Sequence, residues 1–206
     1  MFITFEGGEG SGKTTQIALL REWLERRGFR TLTTREPGGT PLGAKLRALL
    51  LDIHSQVEPN AELLLYAADR AQHVAALIRP ALQTGSVVLS DRYADSTLAY
   101  QGYGRGLDLA ALQHITAFAT GGLQPDLTFF LDIDPAQGLA RRAQEGALNR
   151  LDALSLTFHQ RVREGYLALI AAQPERWVRI DADQPLAVVQ GTIAAVVEER
   201  LILQQR

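Results

Sequence analysis

An α/β fold, with a five-stranded parallel sheet covered by helices on both faces, follows from three features of the 206-residue sequence. Short apolar runs alternate with long amphipathic stretches, five times over, which is the order a parallel sheet with crossover helices produces. No internal repeat, low-complexity segment or long linker interrupts that alternation. The composition, 46% hydrophobic and 21% charged, is that of a packed globular chain and not of a disordered one.

The elements follow in order. Residues 2–5 form a first strand that stops at a glycine cluster, residues 7–12. From residue 13 to 27, Ile17, Leu20, Trp23 and Leu24 fall at helical spacing, and Gly28 closes the segment as a helix stop. Residues 29–33 read as the second strand. A turn at Pro37, Gly38 and Gly39 then leads into a helix over 41–51. Residues 58–83 read as one long helix or two joined ones, and 87–89 as a buried strand ending in Ser90, Asp91 and Arg92. Helix 107–119 precedes the fourth strand, 126–132, and helix 135–144 follows it. Helix 154–171, strand 177–180 and helix 185–203 complete the pattern. Two polar stretches, 102–106 and about 142–152, read as loops of the kind that cover ligands.

This length suits a single domain, residues 1–206. Such a chain buries about 70% of the surface it would expose unfolded, so its core needs no staples. With no cysteine, disulfides, thiolate-held metals and thiol nucleophiles are all excluded. A net charge of −2 argues against nucleic acid as the main partner. No apolar run reaches the ~18 residues of a membrane span. Residues 1–6 show neither a basic start nor a cleavage site, so a cytoplasmic protein is expected.

The chemistry concentrates in Gly7, Gly8, Glu9, Gly10, Ser11, Gly12, Lys13 and Thr14, which satisfy G-x-x-x-x-G-K-S/T between a strand and a helix. Glycines let successive backbone N–H groups point into one concavity at a helix N-terminus, a nest for phosphate. Lys13 then reaches the β- and γ-phosphates, and the Thr14 hydroxyl is placed to ligate Mg²⁺. The motif predicts binding of a nucleoside triphosphate. A carboxylate at a neighbouring strand end is needed beside the metal, and both Asp91 and Asp132 qualify. Arg92 directly after Asp91 favours Asp91, because it sets a cation for a second phosphate beside the metal. No Asn-Lys-x-Asp guanine-reading motif occurs. Instead, Arg35, Arg47, Arg70, Arg92, Arg105, Arg141, Arg142 and Arg150 lie in loops and at helix ends, as phosphoryl transfer to a phosphorylated acceptor would require.

These strings, with Thr34-Arg35-Glu36-Pro37-Gly38-Gly39-Thr40, Tyr66-Ala67-Ala68-Asp69-Arg70, Asp91-Arg92-Tyr93, Ser96 to Gly102, and Asn149-Arg150-Leu151-Asp152, resemble bacterial thymidylate kinases from residue 2 to about 190. The resemblance implies a P-loop kinase that phosphorylates dTMP to dTDP with ATP and Mg²⁺ and forms a homodimer. It implies that Tyr66, where the family usually has Phe, stacks on thymine, and that Arg70 bonds the base. Thr97 and Gln101 read the base edge, and Tyr100 crowds the sugar's 2′ carbon. Arg92 and Arg47 hold the acceptor phosphate, Glu9 faces the 3′-hydroxyl region, and Glu36 and Pro37 complete the dTMP site. Because Gly10 stands where some relatives carry a catalytic arginine, the resemblance passes that role to a lid, the stretch at about 142–152, with Arg142 and Arg150 the foremost candidates beside Arg141. Catalysis is thus expected from Lys13, Asp91, Arg92, Arg142 and Arg150. The alternatives are another P-loop nucleoside or nucleoside-monophosphate kinase, or a regulatory nucleotide-binding module.

Overall fold

The computed structural model describes residues 1–144, 146 and 148–204. Strands β1 (Phe2–Glu6), β2 (Thr31–Arg35), β3 (Val87–Asp91), β4 (Leu127–Asp132) and β5 (Trp177–Asp181) form one sheet in the order β2-β3-β1-β4-β5. Every pairing is parallel. Helices occupy both faces, so β1 and β4 are buried along their whole length. Alternation along β1 divides the core. Ile3 and Phe5 pack with Leu20, Leu24, Phe129 and Leu131 under α1 (Lys13–Glu25) and α9 (Leu186–Gln204). Phe2 packs on the other face with Val88 and Tyr93. Burying each such side chain stabilises the fold by about 1.5–3 kcal/mol.

Residues 58–83 are two helices, α3 (Pro59–His73) and α4 (Arg79–Gln83), joined by a π-helical turn over Val74–Ile78. The second strand begins two residues later than expected, at Thr31. The expected loop at 102–106 needs correction. After α5 (Ala94–Thr97), the chain winds on through π-helical turns over Leu98–Gly104 before α6 (Leu109–Thr120). Its glycines are packing residues: a Cβ at Gly102 would collide with Leu109, and one at Gly104 with Phe158 of α8 (Leu156–Ala172). Glycine here admits a close approach instead of breaking a helix. In the expected lid, α7 (Pro135–Gln144) extends through Arg142. Glu145 and Ala147 lie outside the described residues, and the chain resumes in turns over 149–153.

With β1 between β3 and β4, the chain runs out to one edge of the sheet before returning past β1 to the other. The carboxyl ends of β1 and β3 open on a common crevice, where open α/β sheets bind ligands. Phe5 sits opposite Asp91 in register, so the loop after β1 and the tip of β3 emerge side by side.

Candidate active site

The loop from β1 to α1 turns through left-handed Gly10 (φ 64°) and Gly12 (φ 84°), which sets the N-terminus of α1 against the crevice. It lies on the first turns of α7, where a Cβ at Gly138 would overlap the Glu9 carbonyl oxygen. The buried Lys13 ammonium donates to the carbonyl oxygens of Gly7 (3.2 Å) and Gly8 (2.8 Å) and to Ser11 Oγ (3.1 Å). Burial brings its pKa down from 10.5 to about 8. At the exposed mouth, Thr14 Oγ1 donates to Asp91 Oδ2 at 2.8 Å. Two adjacent oxygen ligands suit a hard divalent cation such as Mg²⁺, which usually completes its shell with phosphate oxygens and water. Among the described residues, no three His, Cys, Asp or Glu side chains are grouped to hold an ion by themselves.

Arg92, at the β3 tip, takes φ 70°, a left-handed conformation that costs a non-glycine residue about 1–3 kcal/mol. Contacts hold it there. Its backbone N–H donates to Phe5 O at 2.9 Å, and its Nη2 donates to Glu9 Oε1 at 2.8 Å. Its guanidinium lies 4.8 Å from the Tyr100 ring centroid. The Tyr100 hydroxyl also donates to Glu9 Oε1 at 2.8 Å. Burial disfavours the Glu9 carboxylate, but Arg92, Lys13 and Tyr100 outweigh it and hold the carboxyl below its ordinary range. Glu9 is therefore an anion that fixes a cation and a phenol at one point.

Beyond Arg92 lies a cavity lined by Glu9, Glu36, Pro37, Arg47, Tyr66, Arg70, Arg92, Thr97, Tyr100 and Gln101. All the residues expected to hold dTMP therefore face one space. The neighbouring phosphate channel runs from Gly10 to Thr15 and past Arg35, Asp91 and Arg142, and shares Glu9, Glu36, Arg47, Arg92 and Asn149 with the cavity. Arg70 donates to Glu36 Oε2 (2.8 Å), Thr97 Oγ1 (2.9 Å) and Tyr93 O (3.1 Å). Glu36, joined to Pro37 by a cis peptide, also meets His73 Nδ1 at 2.9 Å. Arg47 donates to Pro37 O at 2.8 Å.

The sequence model of the thymidylate kinase family matches residues 5–193. The chain belongs to the thymidylate kinase family. It is 56% identical over 200 residues to the thymidylate kinase of Gloeobacter violaceus, covering 96% of this chain and 94% of that one. It is 54% identical over 200 residues to that of Deinococcus radiodurans, covering 97% of each. Among solved structures, thymidylate kinase from Ehrlichia chaffeensis superposes with a TM-score of 0.79 at 34% identity, over 96% of this chain and 98% of that one.

Two sequence-based expectations change within this thymidylate kinase fold. Arg150, expected at the transferring phosphate, lines neither the cavity nor the channel. Its Nη2 donates to buried Glu62 at 2.6 Å and its Nε to Leu50 O at 2.8 Å, because the turn over 149–153 docks on α2 (Pro41–Leu51). Arg141 likewise ties α7 to Ala182 and Asp183. Arg142 lines the phosphate channel, with its Nε 3.3 Å from Asp152. Of the two strand-end carboxylates, Asp132 pairs with Arg163 and Arg179, whereas Asp91 accepts from Thr14 at the mouth of the channel. Sequence reasoning missed Glu6, which accepts from the Tyr93 N–H, Ser96 and Tyr166. Burial and Asp95 push its carboxyl up to about 7. It also missed Glu62 and His73. Their partners lie on other elements, and no local motif marks them.

Proposed function

We propose that this site transfers the γ-phosphoryl group of ATP to the 5′-phosphate of dTMP, giving dTDP and ADP for dTTP supply. The observation that carries the reading is the meeting of the phosphate channel and the acceptor cavity at Arg92, held by Glu9 from the phosphate loop. Phosphoryl transfer needs two anionic phosphates aligned and their charge offset, and little proton chemistry. Lys13 and the loop N–H groups hold the donor phosphates. Arg92 and Arg47 hold the acceptor phosphate, and Arg142 reaches the channel from α7. Thr14 and Asp91 would hold Mg²⁺, which would supply positive charge against the donor phosphates. In the cavity Tyr66 stacks on thymine, Arg70, Thr97 and Gln101 read its edge, and Tyr100 guards the 2′ position.

The same reading takes residues 1–206 as one P-loop kinase domain, with a lid at about 142–152, acting in the cytoplasm. No helix among the described residues is long and apolar enough to cross a membrane. A homodimer is supported by one face of α3 and α6. There Leu64 is 58% and Phe118 90% exposed, beside Ala67, Ala71 and Ile115. A second copy across a two-fold axis would cover that patch.

Replacing Lys13 tests the assignment. With MgATP and dTMP, Lys13→Ala is expected to lose on the order of 10²-fold in kcat, as loss of a transition-state donor does elsewhere. Near-normal turnover by a folded Lys13→Ala protein would contradict it.

A further inference from the structure

Behind the base cavity, Glu62 of α3 is completely buried yet surrounded by polar groups. Its Oε1 accepts from Gln101 Nε2 at 2.8 Å, and its Oε2 accepts from Arg105 Nη2 at 3.0 Å and Arg150 Nη2 at 2.6 Å. Burial opposes its ionisation, but these donors outweigh burial and hold its carboxyl below the ordinary range. An ionised carboxylate only accepts hydrogen bonds. Gln101 must therefore turn its NH₂ toward Glu62, which leaves its amide oxygen for the cavity it lines. No described residue donates to that oxygen. Arg70, which lines the same cavity, has donors only.

We infer that Glu62 is a specificity-determining positioning residue, which fixes the polarity of the Gln101 amide so that the cavity presents an acceptor beside the donors of Arg70. The inference rests on the dTMP reading of this cavity. Thymine offers the complementary pair, an N3–H donor next to an O4 acceptor. Cytosine offers the reverse, a bare N3 next to an amino group. A site whose amide is locked against cytosine leaves buried polar groups unpaired when dCMP enters, and such mismatches are rejected strongly. An amide in place of the Glu62 carboxylate could both donate and accept, so the Gln101 amide could flip its NH₂ toward a bare N3, leaving Arg70 as the remaining barrier to cytosine. Through Arg150, the same carboxylate also anchors the turn at the end of the lid, whose residues Asn149 and Leu151 line the cavity.

The test compares wild type with Glu62→Gln by competing dTMP against dCMP, and dTMP against dUMP, with MgATP in excess. Competition reads a ratio of kcat/KM values, which does not depend on the fraction of enzyme folded. The expected result is a fall of about tenfold or more in the dTMP:dCMP ratio. The dTMP:dUMP ratio should stay unchanged, since those bases share the same edge and differ only at C5. Glu62→Asp keeps the charge for Arg105 and Arg150 but draws the carboxylate back from Gln101. It should shift the ratio in the same direction by less, and it carries the test if Glu62→Gln does not fold. A uniform loss of activity with both ratios unchanged would mean that Glu62 only supports the fold, and would overturn the inference while leaving the dTMP assignment intact. A wild-type enzyme without preference for dTMP over dCMP would overturn both.

Discussion

Lys13 shows how a single buried cation ties the site to pH. Its pKa of about 8, against 10.5 for an exposed lysine, means that the free enzyme carries this charge below pH 8 and loses it above. The kcat/KM for ATP should therefore fall on the alkaline side of about pH 8, whereas kcat holds further because bound phosphates favour the ammonium. A pH profile of both constants measures this, and a kcat/KM flat to roughly pH 9.5 would contradict it. Arg70 carries two duties at once. It faces the base cavity, and it neutralises Glu36 with both side chains almost fully buried. Removing it leaves a buried carboxylate without its main partner, a loss of about 3–5 kcal/mol in comparable pairs. Activity lost in Arg70→Ala therefore mixes folding with recognition. Lys13, Thr14 and Asp91 were legible in the sequence because local strings mark them. The left-handed Arg92 backbone and the carboxylates of Glu6 and Glu62 were not, since the groups that hold them arrive from helices far along the chain.

At the level of elements, the phosphate loop takes its shape partly from its own glycines and partly from α7 beneath it. Gly138 is the contact point, where any side chain would push on the Glu9 carbonyl. Gly138→Ala should displace the loop and lower kcat/KM for ATP on the order of 10-fold to 10²-fold, as small misplacements of reacting groups do. Steady-state kinetics beside a thermal melt would separate that loss from unfolding. Unchanged kinetics would show that α7 does not shape the loop. The five strands and most helices could be read from apolar periodicity because each is a local pattern. The turns over Leu98–Gly104 could not, because Gly102 and Gly104 look like loop residues until Leu109 and Phe158 are seen against them. The contacts of Arg150 were hidden for a related reason. Sequence places it in a basic lid, but its docking on Glu62 and Leu50 depends on the packing of α2 and α3.

For the molecule as a whole, the exposed face of α3 and α6 and the joined compartments at Arg92 carry the two broadest consequences. Sedimentation should give a particle of twice the 22.6 kDa chain mass, and Phe118→Asp, on that face, should return it to one chain. A 22.6 kDa wild-type particle at micromolar concentration would rule out the proposed two-fold contact. The most direct test of the central claim is ADP formation by the wild-type enzyme across dTMP, dUMP, dCMP and ribo-TMP with MgATP. The best acceptor should be dTMP, with dUMP weaker by what one methyl group contributes, about 1–3 kcal/mol. The dCMP edge reverses the donors and acceptors, so dCMP should be very poor. Tyr100 should disfavour ribo-TMP. Comparable kcat/KM for dCMP and dTMP, or no ADP released with dTMP, would contradict the claim.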